Sequence, residues 1–168
     1  MNIGQRLTFG FGSLLAMLLI AGFAATPGKV SQTQPVAPID ATSGVGLEGY
    51  DVVAYFTDQR PVPGSDTYTQ VWQGATWKFA SAEHRDLFAA NPRRYAPQYG
   101  GYCAYALAHG TTVHGDPHQW AVVDERLFVN NNPFAKSLWD RDRPGHIRAG
   151  DQNWPLIPKI SPSGTPHE

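Results

Sequence analysis

The side chains with the chemistry to bind a metal or to react are six histidines and a single cysteine. His84 and Cys103 supply an imidazole nitrogen and a thiolate sulfur, which form part of a ligand set for Cu(I) or Zn(II). If the turn at residues 99–101 brings Cys103 back beside the helix that carries His84, the pair predicts a metal site. Two alternatives remain, in which Cys103 packs as a small buried hydrophobe and His84 is an exposed or capping imidazole.

A second group of histidines consists of His109, His114 and His118. Their i, i+5, i+9 spacing fits no regular element, but a loop can gather such residues around a transition metal. Loops rich in glycine, threonine and aspartate also carry histidines that bind nothing. The group is therefore a candidate extension of the metal site, whereas His167 lies in a proline-rich tail and is expected to be inert.

Catalysis is the less favoured interpretation. A nucleophilic Cys103 needs an imidazole within hydrogen-bond reach and a third group to orient that imidazole. Asp51 or Asp86 could orient it, but the sequence places neither. The chain has no glycine-rich phosphate loop and no H-E-x-x-H helix. One cysteine excludes a dithiol and an internal disulfide. A single-thiol redox or detoxification enzyme using Cys103 remains an alternative.

The first 25 residues resemble an export signal. Arg6 is the only charge before an apolar stretch of about seventeen residues from Leu7 to Phe23, and small residues follow it. The segment shows no polar face, which a buried amphipathic helix would have. A cleaved signal peptide and an uncleaved anchor both remain open, because this length is at the lower limit for spanning a bilayer. We expect a protein that is periplasmic or tethered to the membrane facing the periplasm, with a membrane contact only through an uncleaved segment.

The remaining chain predicts one small domain at residues 46–154, between a linker at 26–45 and a flexible tail at 155–168. About 110 residues suffice for one core. The formal net charge of −1 and the lack of a basic patch among aromatic residues argue against nucleic acid binding. A metal ion or a small molecule is the expected partner.

The domain is predicted to be α+β, with two β-hairpins packed on two or three short helices. Residues 67–72 and 75–79 form the first hairpin, and residues 120–123 and 127–129 form the second. Ser81 caps a helix that ends at Asn91-Pro92, and Asn132 caps a helix with Phe134 and Leu138 on one side. Asp51 can cap a single helical turn. Eight aromatic residues form a core or line a ligand pocket: Tyr50, Tyr55, Trp72, Trp77, Tyr99, Tyr102, Trp120 and Trp139.

Residues 49–95 resemble a YHS domain, a small module named for a Tyr-His-Ser signature. The matching motifs are D-V-V-A-Y from Asp51, W-K-F-A-S-A-E-H from Trp77, and Phe88 with N-P-R-R-Y from Asn91. Residues 46–154 are further similar to the exported bacterial branch of this family. That branch carries G-Y-D-x-V-A-Y-F, Y-G-G-Y-C-A and a G-D-P motif followed by W-x-V, which this chain matches at Gly49–Phe56, Tyr99–Ala104 and Gly115–Val122. The resemblance implies a YHS/TRASH-like fold.

YHS modules in copper-pumping ATPases are associated with soft metal ions, which implies metal handling, copper first. This chain departs from the family where cysteines are usual: Ala54 and Ala80 replace two of them, and His84 stands at the third. A thiolate-rich site is therefore excluded. The resemblance leaves His84 and Cys103 as ligands, with help from His109, His114 or His118. A ligand-free interaction module is the remaining alternative.

Overall fold

The computed structural model describes residues 35–42 and 44–160. The predicted signal or anchor at 1–25, the first part of the linker and the last eight residues lie outside the described residues. No helix among residues 35–42 and 44–160 is long and apolar enough to cross a membrane.

The described chain contains six β-strands and six α-helices, which confirms the α+β class. The strands are β1 (Ala41–Thr42), β2 (Val45–Gly46), β3 (Ser65–Trp72), β4 (Ala75–Phe79), β5 (Asp116–Val123) and β6 (Arg126–Asn130). The helices are α1 (Ala54–Thr57), α2 (Ala82–Ala90), α3 (Pro92–Tyr95), α4 (Ala104–Ala108), α5 (Pro133–Asp140) and α6 (Arg143–Asn153). Short 3-10 turns span Leu47–Gly49, Gln98–Gly101 and Trp154–Leu156. The helices are more numerous than the two or three expected from the sequence.

Both predicted hairpins are present. β3 and β4 pair antiparallel with Gln70 opposite Trp77, and the sheet continues through β2, which runs parallel to β4, to β1. β5 and β6 form a separate antiparallel pair with Ala121 opposite Phe128. The first hairpin turns at Gln73-Gly74, both with positive φ, as expected for a two-residue turn of this kind.

Hydrophobic residues form two clusters on either side of β6. Trp77, Phe79 and Phe88 lie in the first cluster together with Leu127 and Val129 of β6. Phe128, which lies between Leu127 and Val129 in β6, packs in the second cluster with Trp139 and Leu107. Because successive side chains of a strand point to opposite faces, one strand contributes to both clusters. Most of the aromatic residues named above are therefore core.

The helix caps follow the sequence signals. Ser81 accepts a hydrogen bond from the His84 N–H, and Asn132 accepts one from the Ala135 N–H. The buried face of α5 differs from the prediction: Phe134 is 71% exposed, whereas Ala135 and Trp139 are buried. Trp139 buries more area than Phe134, and only one of these two faces can pack on β6.

The described parts of the segments expected to be a linker and a flexible tail, residues 35–42 and 155–160, pack against the domain. In the N-terminal segment (residues 35–42), Ile39 is 4% exposed, and the Asp40 N–H donates to the Gly100 carbonyl at 2.8 Å. Val36 bridges Lys159, and Ile157 is buried in the second cluster. The two segments contact each other and the core. The sequence does not reveal this pairing, because the paired residues lie far apart along the chain.

Candidate functional site

Asp51 is a fully buried carboxylate just before α1. Its Oδ1 accepts the Val53 N–H at 2.9 Å and the Ala54 N–H at 3.3 Å, which confirms the predicted cap. Its Oδ2 accepts the Ala80 N–H at 2.8 Å, at the end of β4. The carboxylate therefore joins the start of α1 to the β4–α2 junction and is held in one orientation.

His84 completes the hydrogen bonding of Asp51. Its Nδ1 lies 2.7 Å from Asp51 Oδ2, and its side chain is 15% exposed. A carboxylate only accepts hydrogen bonds, so Nδ1 carries the proton in this contact. The Nε2 atom is 3.4 Å from Thr57 Oγ1, and the Thr57 hydroxyl donates to Asp58 Oδ1 at 2.8 Å. Asp51, His84, Thr57 and Asp58 thus lie next to one another, and the Thr57 hydroxyl that donates to Asp58 leaves the lone pair of His84 Nε2 without a donor from this hydroxyl.

This arrangement has two chemical uses and one structural use. Metal-bound histidines commonly donate their second ring N–H to a carboxylate, which fixes the tautomer and leaves the other nitrogen for the metal. An imidazole oriented by a carboxylate can also take a proton from a hydroxyl or water. Structurally, the Asp51–His84 contact ties α2 to the turn before α1.

Cys103 lies elsewhere in the fold. It immediately precedes α4, is 2% exposed, and its thiol is 3.8 Å from Asn130 Oδ1. α4 packs on α5, α6 and β6, whereas the helix of His84 packs on α3, β3 and β4. The structure therefore does not bring His84 and Cys103 together, because Cys103 directly precedes α4, whose Ala104 and Leu107 belong to the second cluster.

The histidines of the 109–118 group also have separate partners. His114 Nδ1 is 2.5 Å from Asp40 Oδ1, and His118 Nε2 is 2.9 Å from the Tyr50 hydroxyl. His109, which directly follows α4, instead bonds the backbone carbonyl of Tyr105 in that helix. Within residues 35–42 and 44–160, no group of three or more histidine, cysteine, aspartate or glutamate side chains is arranged to bind a metal ion.

Asp40 is a second buried carboxylate with an imidazole partner. Its Oδ2 accepts the Gly115 N–H at 3.0 Å, and its side chain is 8% exposed, but the His114 side chain is 73% exposed. Burial, reinforced by the nearby Asp40, raises the pKa of Tyr102 to about 12. The contact between Asp40 and His114 links the N-terminal segment to the loop before β5. Because the His114 imidazole is exposed, this contact is poorly shielded from solvent.

A shallow pocket of about 440 Å³ lies between α1 and the second hairpin. Tyr55, Phe56 and Trp120 form its aromatic part. Arg94 stands 4.9 Å from the Phe56 ring centre and pairs with Glu125 at 3.0 Å. Tyr55 and Trp120 are thus members of the aromatic set that line a pocket, and Trp72 and Tyr99 line another of about 320 Å³.

Sequence reasoning missed Asp40, Thr57 and His146 as members of polar clusters, and it assigned Asp51 only a cap or an unplaced orienting role. Asp51 and His84 are 33 residues apart. The capping pattern around Asp51 was the one available signal, and it did not identify the imidazole partner.

A comparison of the chain with protein-family models, with curated proteins and with solved structures finds no match.

Proposed function

We propose that this chain is an exported YHS-type domain that binds a borderline transition metal ion, copper first, with His84 Nε2 as a ligand. The observation that carries the proposal is the 2.7 Å contact between His84 Nδ1 and the buried, backbone-anchored Asp51. It leaves Nε2 with a lone pair, on a side chain that is 15% exposed. Export and the family assignment rest on the sequence motifs.

The donor atoms beside His84 Nε2 favour Cu(II) over Cu(I). Thr57 and Asp58 offer a hydroxyl and a carboxylate, so the donors near His84 are nitrogen and oxygen. Such donors suit Cu(II) and Zn(II), whereas Cu(I) prefers sulfur. The only thiol, Cys103, is buried beside Asn130. The geometry therefore supports Cu(II) or Zn(II) at His84 better than Cu(I) shared with Cys103.

The same burial bears on the alternative enzyme. A reactive cysteine is accessible and lies in surroundings that stabilise its thiolate. Cys103 is 2% exposed, and its hydrogen-bond partner is a neutral amide. The single-thiol enzyme is thus less well supported than metal binding.

The test is a competition titration of the purified chain with Cu(II) and with Zn(II) against a chelator of known affinity. We expect His84→Ala to remove one equivalent. Asp51→Asn should weaken that equivalent about 10–100-fold, the usual effect of losing a residue that orients a metal ligand. His118→Ala is the matched control, because the His118 ring bonds a tyrosine hydroxyl where the His84 ring bonds a carboxylate.

An unchanged equivalent in His84→Ala would refute the proposal. A Cu(I) titration of Cys103→Ser separates the remaining alternative: tight Cu(I) binding lost in this variant would favour a thiolate site. If neither metal binds and the thiol is inert to alkylation in the folded protein, the domain is a ligand-free interaction module.

A further inference from the structure

His109 and His146 lie next to each other on two packed helices. His109 ends α4, His146 is in the first turn of α6, and these two helices pack together. Their ring centres are 6.0 Å apart. Tyr105 contacts both rings, at 4.5 Å from His109 and 5.3 Å from His146. Three rings thus cluster on one surface, although 37 positions separate the two histidines in the sequence.

Backbone carbonyls fix the tautomer of both imidazoles. His109 Nδ1 is 2.9 Å from the Tyr105 carbonyl oxygen, and His146 Nδ1 is 3.1 Å from the Trp139 carbonyl oxygen. A carbonyl oxygen only accepts, so each Nδ1 carries the hydrogen and each Nε2 keeps its lone pair. A hydrogen bond from one ring nitrogen to a carbonyl is the common way in which a metal-binding histidine is oriented.

We propose that His109 and His146 bind one divalent transition metal ion, Zn(II) or Cu(II), through their Nε2 atoms, with water in the remaining positions. An ion about 2.0 Å from each Nε2 lies about 3.2 Å from each ring centre, so a tetrahedral pair has centres about 5.2 Å apart. The observed 6.0 Å corresponds to a wider angle between the two metal–nitrogen bonds. His109 is exposed and His146 is half-buried, so the site opens to solvent.

This site is independent of the one proposed at His84, because the two share no residue. It explains why both imidazoles are anchored by the same nitrogen. The competing interpretation is that the three rings only pack α4 against α6, in which case no ion binds.

The experiment uses the full chain in four forms: wild type, His84→Ala, the double variant His109→Ala with His146→Ala, and the triple variant. Zn(II) and Cu(II) are titrated against a chelator, and thermal unfolding is recorded with and without metal. We expect the double variant to lose one equivalent that His84→Ala retains, and to lose the matching part of the metal-induced rise in Tm. The triple variant should bind neither.

An unchanged stoichiometry in the double variant would overturn this inference without affecting His84. Loss of one equivalent in the double variant, with an unchanged stoichiometry in His84→Ala, would refute the His84 site and support this inference. If the double variant fails to fold, His109→Ala alone decides, because His109 is exposed at the end of its helix. A variant that lowers the Tm of the metal-free protein but keeps both equivalents would assign the rings to packing only.

Discussion

Asp51 accepts four hydrogen bonds with one buried carboxylate, and Asp51→Ala removes all of them. The Val53 and Ala54 N–H groups lie in the core and would lose their acceptor, at about 1–3 kcal/mol each. The bond to His84 is worth roughly 1.5–3 kcal/mol when one partner is charged. From these three bonds we therefore expect the free energy of unfolding to fall by about 3.5–9 kcal/mol, a large part of the usual roughly 5–15 kcal/mol.

Asp51→Asn separates the contribution of the two bonds at Oδ1 from that of the two bonds at Oδ2. The amide can still accept the Val53 and Ala54 N–H groups at Oδ1, but its NH2 group then faces the donors of Ala80 and His84. The loss should be smaller, about 2–3 kcal/mol. Urea denaturation followed by tryptophan fluorescence measures both values, with the exposed Asp86→Asn as a control expected to stay within about 0.5 kcal/mol.

Either of two results would refute this reasoning. An Asp51→Ala variant within about 1 kcal/mol of wild type would mean that the buried N–H groups find other acceptors. Equal losses in Asp51→Ala and Asp51→Asn would mean that the capping bonds contribute nothing beyond the contact with His84. A double-mutant cycle with His84→Ala gives the coupling directly.

Two further predictions concern stability. Burial is the largest cause of the raised pKa values of Tyr55, Tyr99 and Tyr102, the last to about 12. Since these lie above the unfolded value of 10.0, the stabilisation is complete below pH 10 and is lost as the pH rises toward 12. At roughly 1.4 kcal/mol per pH unit and residue, the loss from these three tyrosines is about 4 kcal/mol at pH 11. Phenolate absorbance should show that Tyr55, Tyr99 and Tyr102 ionise only well above pH 10 while the protein is folded; their ionisation near pH 10 in the folded state would contradict this. Gly100→Ala should lower stability by about 2–4 kcal/mol in thermal denaturation, because Gly100 has φ +66 and an added Cβ would clash with a carbonyl of the N-terminal segment. Gly74→Ala, at φ +78 with no atom near the added Cβ, should cost about 1 kcal/mol. Equal losses in the two variants would argue against the close approach at Gly100.

Local signals in the sequence were sufficient for the individual elements. Alternating aromatic and β-branched residues around Gln73-Gly74 predict the first hairpin, and Ser81 and Asn132 predict the caps of two helices. These features depend on contacts within about four residues, which a sequence displays directly. α6 was missed because its first residues include Pro144 and Gly145, which give no periodic apolar stripe.

The sequence by itself also determined which reactive side chains are available: one thiol and six imidazoles. It carries no cysteine at the positions where the family that it resembles usually has cysteines. Only the tertiary structure decided which of these side chains meet. Asp51 reaches His84, and His109 reaches His146, through helix and strand packing that no spacing along the chain encodes. Cys103 is separated from His84 for the same reason: the apolar face of α4 packs into the second cluster, and the cysteine that precedes this helix is buried with it.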